Sequence, residues 1–93
     1  MENNTLTVYQ KKLGYQYFFI KKEHQPLFES LDTFALVCSD GTHYENLIIR
    51  KSGKHLRYFM FANDFFKEHP LLQKSQKIPF SVDRDKRIVR ITL

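Results

Sequence analysis

Residues 33–50, TFALVCSDGTHYENLIIR, contain two β-rich runs on either side of a turn. The first run, residues 33–38, is apolar and predicts a strand. The turn is Ser39-Asp40-Gly41-Thr42, and an Asp-Gly pair between two such runs favours a tight hairpin. Residues 43–50 then predict the returning strand. This stretch indicates that the chain builds an antiparallel sheet.

Further runs of the same kind lie on both sides of this hairpin. Two short helices interrupt them: one at residues 24–31 with Pro26 in its first turn, and one at residues 65–68 capped by Asn63 or Asp64. The other predicted strands are residues 5–9, 15–20, 55–61, 77–82 and 87–93. The sequence therefore predicts one domain, residues 1–93, that is mostly β (α+β): a seven-stranded open barrel or pseudobarrel whose ends are plugged by the helices.

Composition limits the class of protein. Apolar residues make up 42% of the chain and aromatic residues 15%, which is enough for one packed core. Cys38 is the only cysteine, so no disulfide can form within the chain. Because small secreted domains usually carry several disulfides, we expect an intracellular protein, either cytoplasmic or nuclear. No run of residues is apolar enough to predict a membrane span, and we expect no membrane partner.

The sequence contains no recognisable catalytic or metal-binding motif. Its four histidines, at positions 24, 43, 55 and 69, lack the close spacing of zinc ligands. Cys38 lies in an apolar run with no neighbouring basic residue, which indicates a buried thiol. We therefore expect no metal, no cofactor and no enzymatic activity.

Charge is the strongest functional indication in the sequence. The chain carries +5, and a basic domain attracts polyanions. Residues 50–57 hold four cations and no acid, namely Arg50, Lys51, Lys54 and Arg57. A second cluster, Gln10, Lys11 and Lys12, lies in the predicted first hairpin, next to Tyr15 and Gln16.

The aromatic residues are expected to divide between the core and this hairpin. Most of Phe18, Phe19, Phe59, Phe61, Phe65 and Phe66 are predicted to fill the core. Tyr9, Tyr15 and Tyr17 alternate with lysine and glutamine, which is typical of a nucleic-acid surface and equally of a solvated hairpin.

The order of elements resembles the B-three type DNA-binding domain of plant transcription factors, a pseudobarrel also found as the recognition domain of some restriction endonucleases. The resemblance rests on Phe19-Ile20-Lys21-Lys22 before a short helix and on the Asp40-Gly41 turn after a strand. It continues through the basic turn at residues 50–57, the strand and helix at 58–68, and two apolar closing strands. It implies that two loop arms, holding the two basic clusters, grip the major groove.

Together these features predict a non-catalytic domain that binds double-stranded DNA. Arg50 and Arg57 are the expected base readers, because a guanidinium can bond two acceptors of one guanine. Lys11, Lys12, Lys51 and Lys54 are expected to contact phosphates, with Gln10, Tyr15 and Gln16 adding base or sugar contacts. Two alternatives remain open: a small interaction module or phage-type inhibitor that docks on an acidic protein partner, and a small ribonuclease.

Overall fold

The computed structural model describes residues 4–10, 16–29, 31–52 and 57–93. These residues form eight strands and two short helices. The 3-10 helix η1 spans Lys22–Phe28, and the α-helix α1 spans Asn63–Glu68. The strands are β1 (Thr5–Gln10), β2 (Gln16–Ile20), β3 (Phe34–Cys38), β4 (His43–Leu47), β5 (Ile49–Ser52), β6 (Arg57–Met60), β7 (Lys77–Asp83) and β8 (Ile88–Ile91).

All of these strands join one sheet in the order β4-β3-β8-β7-β1-β2-β6-β5. Neighbouring strands are antiparallel except β3 and β8, which run parallel. Gln10 lies opposite Gln16, where β1 ends and β2 begins, and we call this the upper end of the sheet. Ile20 lies opposite Tyr58 at the lower end, where β2 finishes and β6 has just begun.

The outermost strands of this sheet, β4 and β5, are consecutive in the chain and are separated only by Ile48. Asn46 has a φ of 60°, a left-handed conformation that asparagine tolerates better than most residues. The chain thus leaves one edge of the sheet and continues directly along the other, which curls the sheet into a nearly closed barrel. The predicted mostly β pseudobarrel with two short helices is confirmed. Its strands number eight because the strand predicted at 43–50 divides at Ile48.

The barrel interior is filled by alternate residues of the strands. Leu6 and Val8 of β1 and Phe18 and Ile20 of β2 are all fully buried. Residues between them in sequence face outward, as the period of two in a strand requires. The inward residues form a single hydrophobic core.

The two helices close the ends of the barrel, as predicted. Helix η1 links the end of β2 to the start of β3 at the lower end, and its buried Phe28 packs 5.5 Å from Phe80. Helix α1 follows β6 at the upper end and buries Phe65 and Phe66, whose ring centroids lie 5.4 and 4.9 Å from that of Phe18.

The predictions for the ends of the two helices were only partly correct. The helix predicted at 24–31 is the 3-10 helix η1, in which the His24 N–H donates to the carbonyl of Lys21 at 2.9 Å. Pro26 lies inside it and offers no N–H, which suits a short 3-10 segment. In α1 the predicted cap by Asn63 or Asp64 is wrong, because both residues already belong to the helix and Ala62 precedes it without a side-chain cap.

The Asp40-Gly41 turn forms as predicted between β3 and β4. The Thr42 N–H donates to Asp40 Oδ1 at 2.9 Å, and the Cys38 N–H donates to the Thr42 carbonyl at 2.9 Å. Gly41 has a φ of 93°, a conformation that side-chain-bearing residues rarely adopt. Elsewhere, no helix among the described residues is both long and apolar enough to cross a membrane.

Candidate nucleic-acid interface

Three of the predicted DNA-binding cations lie exposed on the neighbouring strands β5 and β6. Arg50 lies opposite Phe59 and Lys51 opposite Tyr58, while Arg57 begins β6 opposite Ser52. The hairpin pairing of these strands therefore brings Arg50, Lys51 and Arg57 onto one edge of the sheet. Lys54 lies outside the described residues.

Lys51 is held in place by an aromatic neighbour. Its Nζ lies 5.0 Å from the centroid of the Tyr58 ring, a favourable cation–π distance. The Tyr58 hydroxyl donates to Glu29 Oε1 at 2.7 Å, just after η1. That hydrogen bond is the main cause that raises the pKa of Tyr58 above its usual value, so the phenol stays neutral. Lys51 is thus positioned over a fixed ring.

The predicted site residues at the upper end are Gln10 and Gln16, which lie opposite one another. The Gln16 side chain donates from Nε2 to the carbonyl of Leu72 at 2.9 Å, which ties β2 to the segment after α1. Gln10 is exposed. Lys11, Lys12 and Tyr15 lie outside the described residues.

The strand register places these two groups at opposite ends of β2. Gln16 is its first residue and Ile20 its last, opposite Tyr58, the neighbour of Arg57. Four residue steps of a strand cover about 13 Å. The residues that flank the two predicted arms are therefore separated along the strands by about this length, and the sheet joins them into one continuous surface.

That surface carries a cluster of aromatic rings on its outer face. Tyr9 and Tyr17 stack with ring centroids 5.8 Å apart, and Tyr9 also lies 5.7 Å from Phe19. Tyr17 contacts Phe59 at 5.2 Å and Phe61 at 5.4 Å, and Phe19 lies 5.9 Å from Phe59. We call these five residues, Tyr9, Tyr17, Phe19, Phe59 and Phe61, the outer aromatic cluster.

Sequence analysis assigned part of this cluster to the core. Phe18, Phe65 and Phe66 are buried as predicted, but Phe19, Phe59 and Phe61 are half-buried on the outside of the barrel. The sequence did contain a signal: residues 17–20 and 58–61 are apolar at every position, so both faces of the corresponding strands must be apolar. When the residues on one side of each of these strands fill the core, the apolar residues on the other side form an apolar outer face.

The strands that form this face carry charged residues of one sign. The segments of β1, β2, β5 and β6 contain no acidic residue. Among the described residues, Arg90 and Asp83 form the one ion pair, at 3.8 Å, so no described carboxylate neutralises Arg50 or Arg57. The face therefore combines exposed cations with clustered rings.

Other reactive groups lie away from this face. Burial, with a contribution from the Asp40 carboxylate, raises the pKa of the Cys38 thiol to about 11. Tyr44 donates from its hydroxyl to Glu68 Oε2 at 2.7 Å, and burial together with this bond raises its pKa. The described part of the chain holds no group of three or more His, Cys, Asp or Glu side chains arranged to bind a metal ion.

Comparisons with protein-family models, with curated proteins and with solved structures found no match to this chain.

Proposed function

We propose that this chain is a non-catalytic nucleic-acid-binding domain whose ligand is double-stranded DNA. The observation that carries the proposal is that four neighbouring strands contain no acidic residue and expose Arg50 and Arg57 on their outer face, while the adjacent Lys51 is exposed on the other side of β5, over Tyr58. Cations without carboxylate partners gain the most from phosphate, because no existing ion pair must be broken.

The length of β2 supports contact across a groove. Gln10 and Gln16 lie at one end of this strand and Arg57 lies beside the other end, about 13 Å away along the strand. The major groove of B-DNA is about 12 Å wide, so this length of strand matches the width of the groove. Two clusters acting on one duplex is also what the resemblance to the B-three type domain implies.

The cations differ in how they can act. Arg57 is exposed and has no ion-pair partner among the described residues, and its fork of donors suits the edge of a guanine. Lys51 is a point charge fixed over Tyr58, which suits a phosphate. Arg50 faces outward beside Phe59, so it can contact either a base or the backbone.

The proposal is tested by measuring binding to random and selected duplexes across salt concentration. Replacing Lys51 and Lys54 by Ala should weaken binding to every sequence and flatten the salt slope by about two units, one for each lost phosphate contact. Arg57→Ala should cost about 1–3 kcal/mol on the preferred site and much less on random DNA. Lys67→Ala, an exposed lysine on α1, is the matched control and should change neither quantity.

A combined variant decides the outcome. Alanine at Lys11, Lys12, Arg50, Lys51, Lys54 and Arg57 removes both clusters at once. If this variant remains folded and binds duplex DNA as the parent does, DNA binding through these residues is wrong.

A protein-interaction module is the second candidate, and the outer aromatic cluster favours it, since aromatic side chains on the outer surface of a protein are frequent at protein interfaces. In that case the exposed cations would dock on an acidic protein partner. Absence of salt-dependent binding to random duplex DNA would favour this candidate.

A further inference from the structure

The outer aromatic cluster has the features of a binding surface, because its aromatic side chains pack together outside the core. Tyr17 exposes only 7% of its surface although it faces away from the core, because Tyr9, Phe59 and Phe61 surround it. Tyr9, at the outside of the cluster, is 41% exposed. Five contacting rings on the solvent side of a small sheet are costly to hydrate and are typical of a binding surface.

The strand register shows what surrounds the rings. Lys77 lies opposite Thr7, Thr7 opposite Phe19, Phe19 opposite Phe59, and Phe59 opposite Arg50. These five residues form one row across β7, β1, β2, β6 and β5. Strands lie about 4.8 Å apart, so the row places a cation at each end of a span of about 19 Å with rings between them.

Rings between cations fit a polyanion that carries flat groups. A single-stranded nucleic acid has this chemistry, since its bases stack on aromatic side chains while its phosphates contact lysine and arginine. A base-paired duplex keeps its base faces covered, so it cannot use the rings in this way. An acidic protein could cover both the cations and the rings, but it does not carry anions at regular intervals with flat groups between them.

We propose that the outer aromatic cluster is a binding site for the unpaired bases of single-stranded DNA, with Lys77 and Arg50 contacting the phosphates. This inference rests on the proposed function only for Arg50, because stacking on Tyr9, Phe19 and Phe59 requires no duplex. The rings span enough of the sheet for about two or three stacked bases.

Binding of an oligothymidylate of about 12 nucleotides tests this site, since such a strand is long enough for a single-domain footprint. Tyr9→Leu and Phe59→Leu keep an apolar side chain but remove the ring, and each should weaken binding about tenfold. Tyr9→Phe retains the ring and should bind as the parent does. Leu71→Ala, at an exposed residue outside the cluster, is the control and should have no effect.

A spectroscopic measurement keeps the test independent of the stability of the variants. The chain has five tyrosines and no tryptophan, so its ultraviolet emission reports on tyrosine alone. Oligothymidylate should quench this emission in the parent protein. The quenching should be smaller in Tyr9→Phe even though its affinity is unchanged.

The outcomes separate this inference from the proposed function. If duplex DNA binds through Arg57 but oligothymidylate neither binds nor quenches, the single-strand site is wrong and the proposed function stands. If oligothymidylate binds equally well to the parent and to Tyr9→Leu and Phe59→Leu, the inference is overturned as well. If no nucleic acid binds, both fail; a dimer that Tyr9→Arg dissociates would then identify the cluster as a contact between two copies.

Discussion

Cys38 makes the stability of the fold depend on pH in the alkaline range. Burial raises the pKa of its thiol to about 11, so the folded chain holds a proton that the unfolded chain releases near its ordinary pKa. Stability is therefore complete below that ordinary pKa and declines as the pH rises above it, by up to about 1.4 kcal/mol per pH unit. Urea denaturation of the parent and of Cys38→Ala at about pH 8 and about pH 10 measures this slope.

The variant isolates the thiol from the tyrosines. Tyr44 also has a raised pKa, but its phenol in the unfolded chain ionises only from a higher pH. Cys38→Ala should therefore lose most of the decline between these two pH values. Equal slopes in parent and variant would show that the thiol does not govern this range.

Gly41, just before β4, and Asn46, within β4, both have a positive φ, so their substitutions can be compared. A Cβ at Gly41 would meet nothing within 4 Å, so the cost of Gly41→Ala is conformational and should be about 1–2 kcal/mol. Asn46→Gly relaxes a left-handed residue and should leave stability unchanged or slightly higher. Denaturation midpoints at constant m-value provide the comparison; an alanine at position 41 as stable as glycine would contradict the turn geometry.

At the level of elements, the sequence predicted correctly those features that depend on residues close together in the chain. The Asp40-Gly41 turn formed because its hydrogen bonds are made within a few residues. The division of the strand at Ile48 could not be predicted, since residues 47–49 are uniformly apolar and the change of partner from β3 to β6 is tertiary. The apolar outer face formed by Tyr17 and Phe19 was missed for a related reason, because most of the phenylalanines were expected to fill the core.

The molecule as a whole should unfold as one unit, since both plugs pack on a single core. Phe28→Ala at the lower end and Phe65→Ala at the upper end each remove a fully buried ring and should cost about 3–5 kcal/mol. Phe59→Ala, on the outer face, removes a half-buried ring and should cost clearly less. In all three, transitions followed by circular dichroism and by tyrosine fluorescence should coincide.

Separate transitions for Phe28→Ala and Phe65→Ala would show that the two ends of the barrel unfold independently, which would contradict the single core described above.

The position of the candidate site is also a property of the whole molecule. Both basic clusters are visible in the sequence, but the separation of Gln10 from Arg57 by the length of β2 follows from the pairing of β2 with β6, which joins residues about 40 positions apart. Long-range pairing of this kind produces no recognisable pattern among neighbouring residues in the sequence.

The passage of the chain from β4 to β5 also bears on solubility. An exposed strand edge offers unpaired backbone groups to any other chain, and proteins protect such edges by making them short, bent or charged. Here the two edge strands have five and four residues, and left-handed Asn46 lies where the pairing of β4 with β3 is irregular. Glu45 stands exposed on one edge strand, and Arg50 and Lys51 on the other. The charges of Arg50 and Lys51 therefore also oppose edge-to-edge aggregation of the barrel. Replacing both with apolar residues would favour strand pairing between molecules, whatever ligand the protein binds.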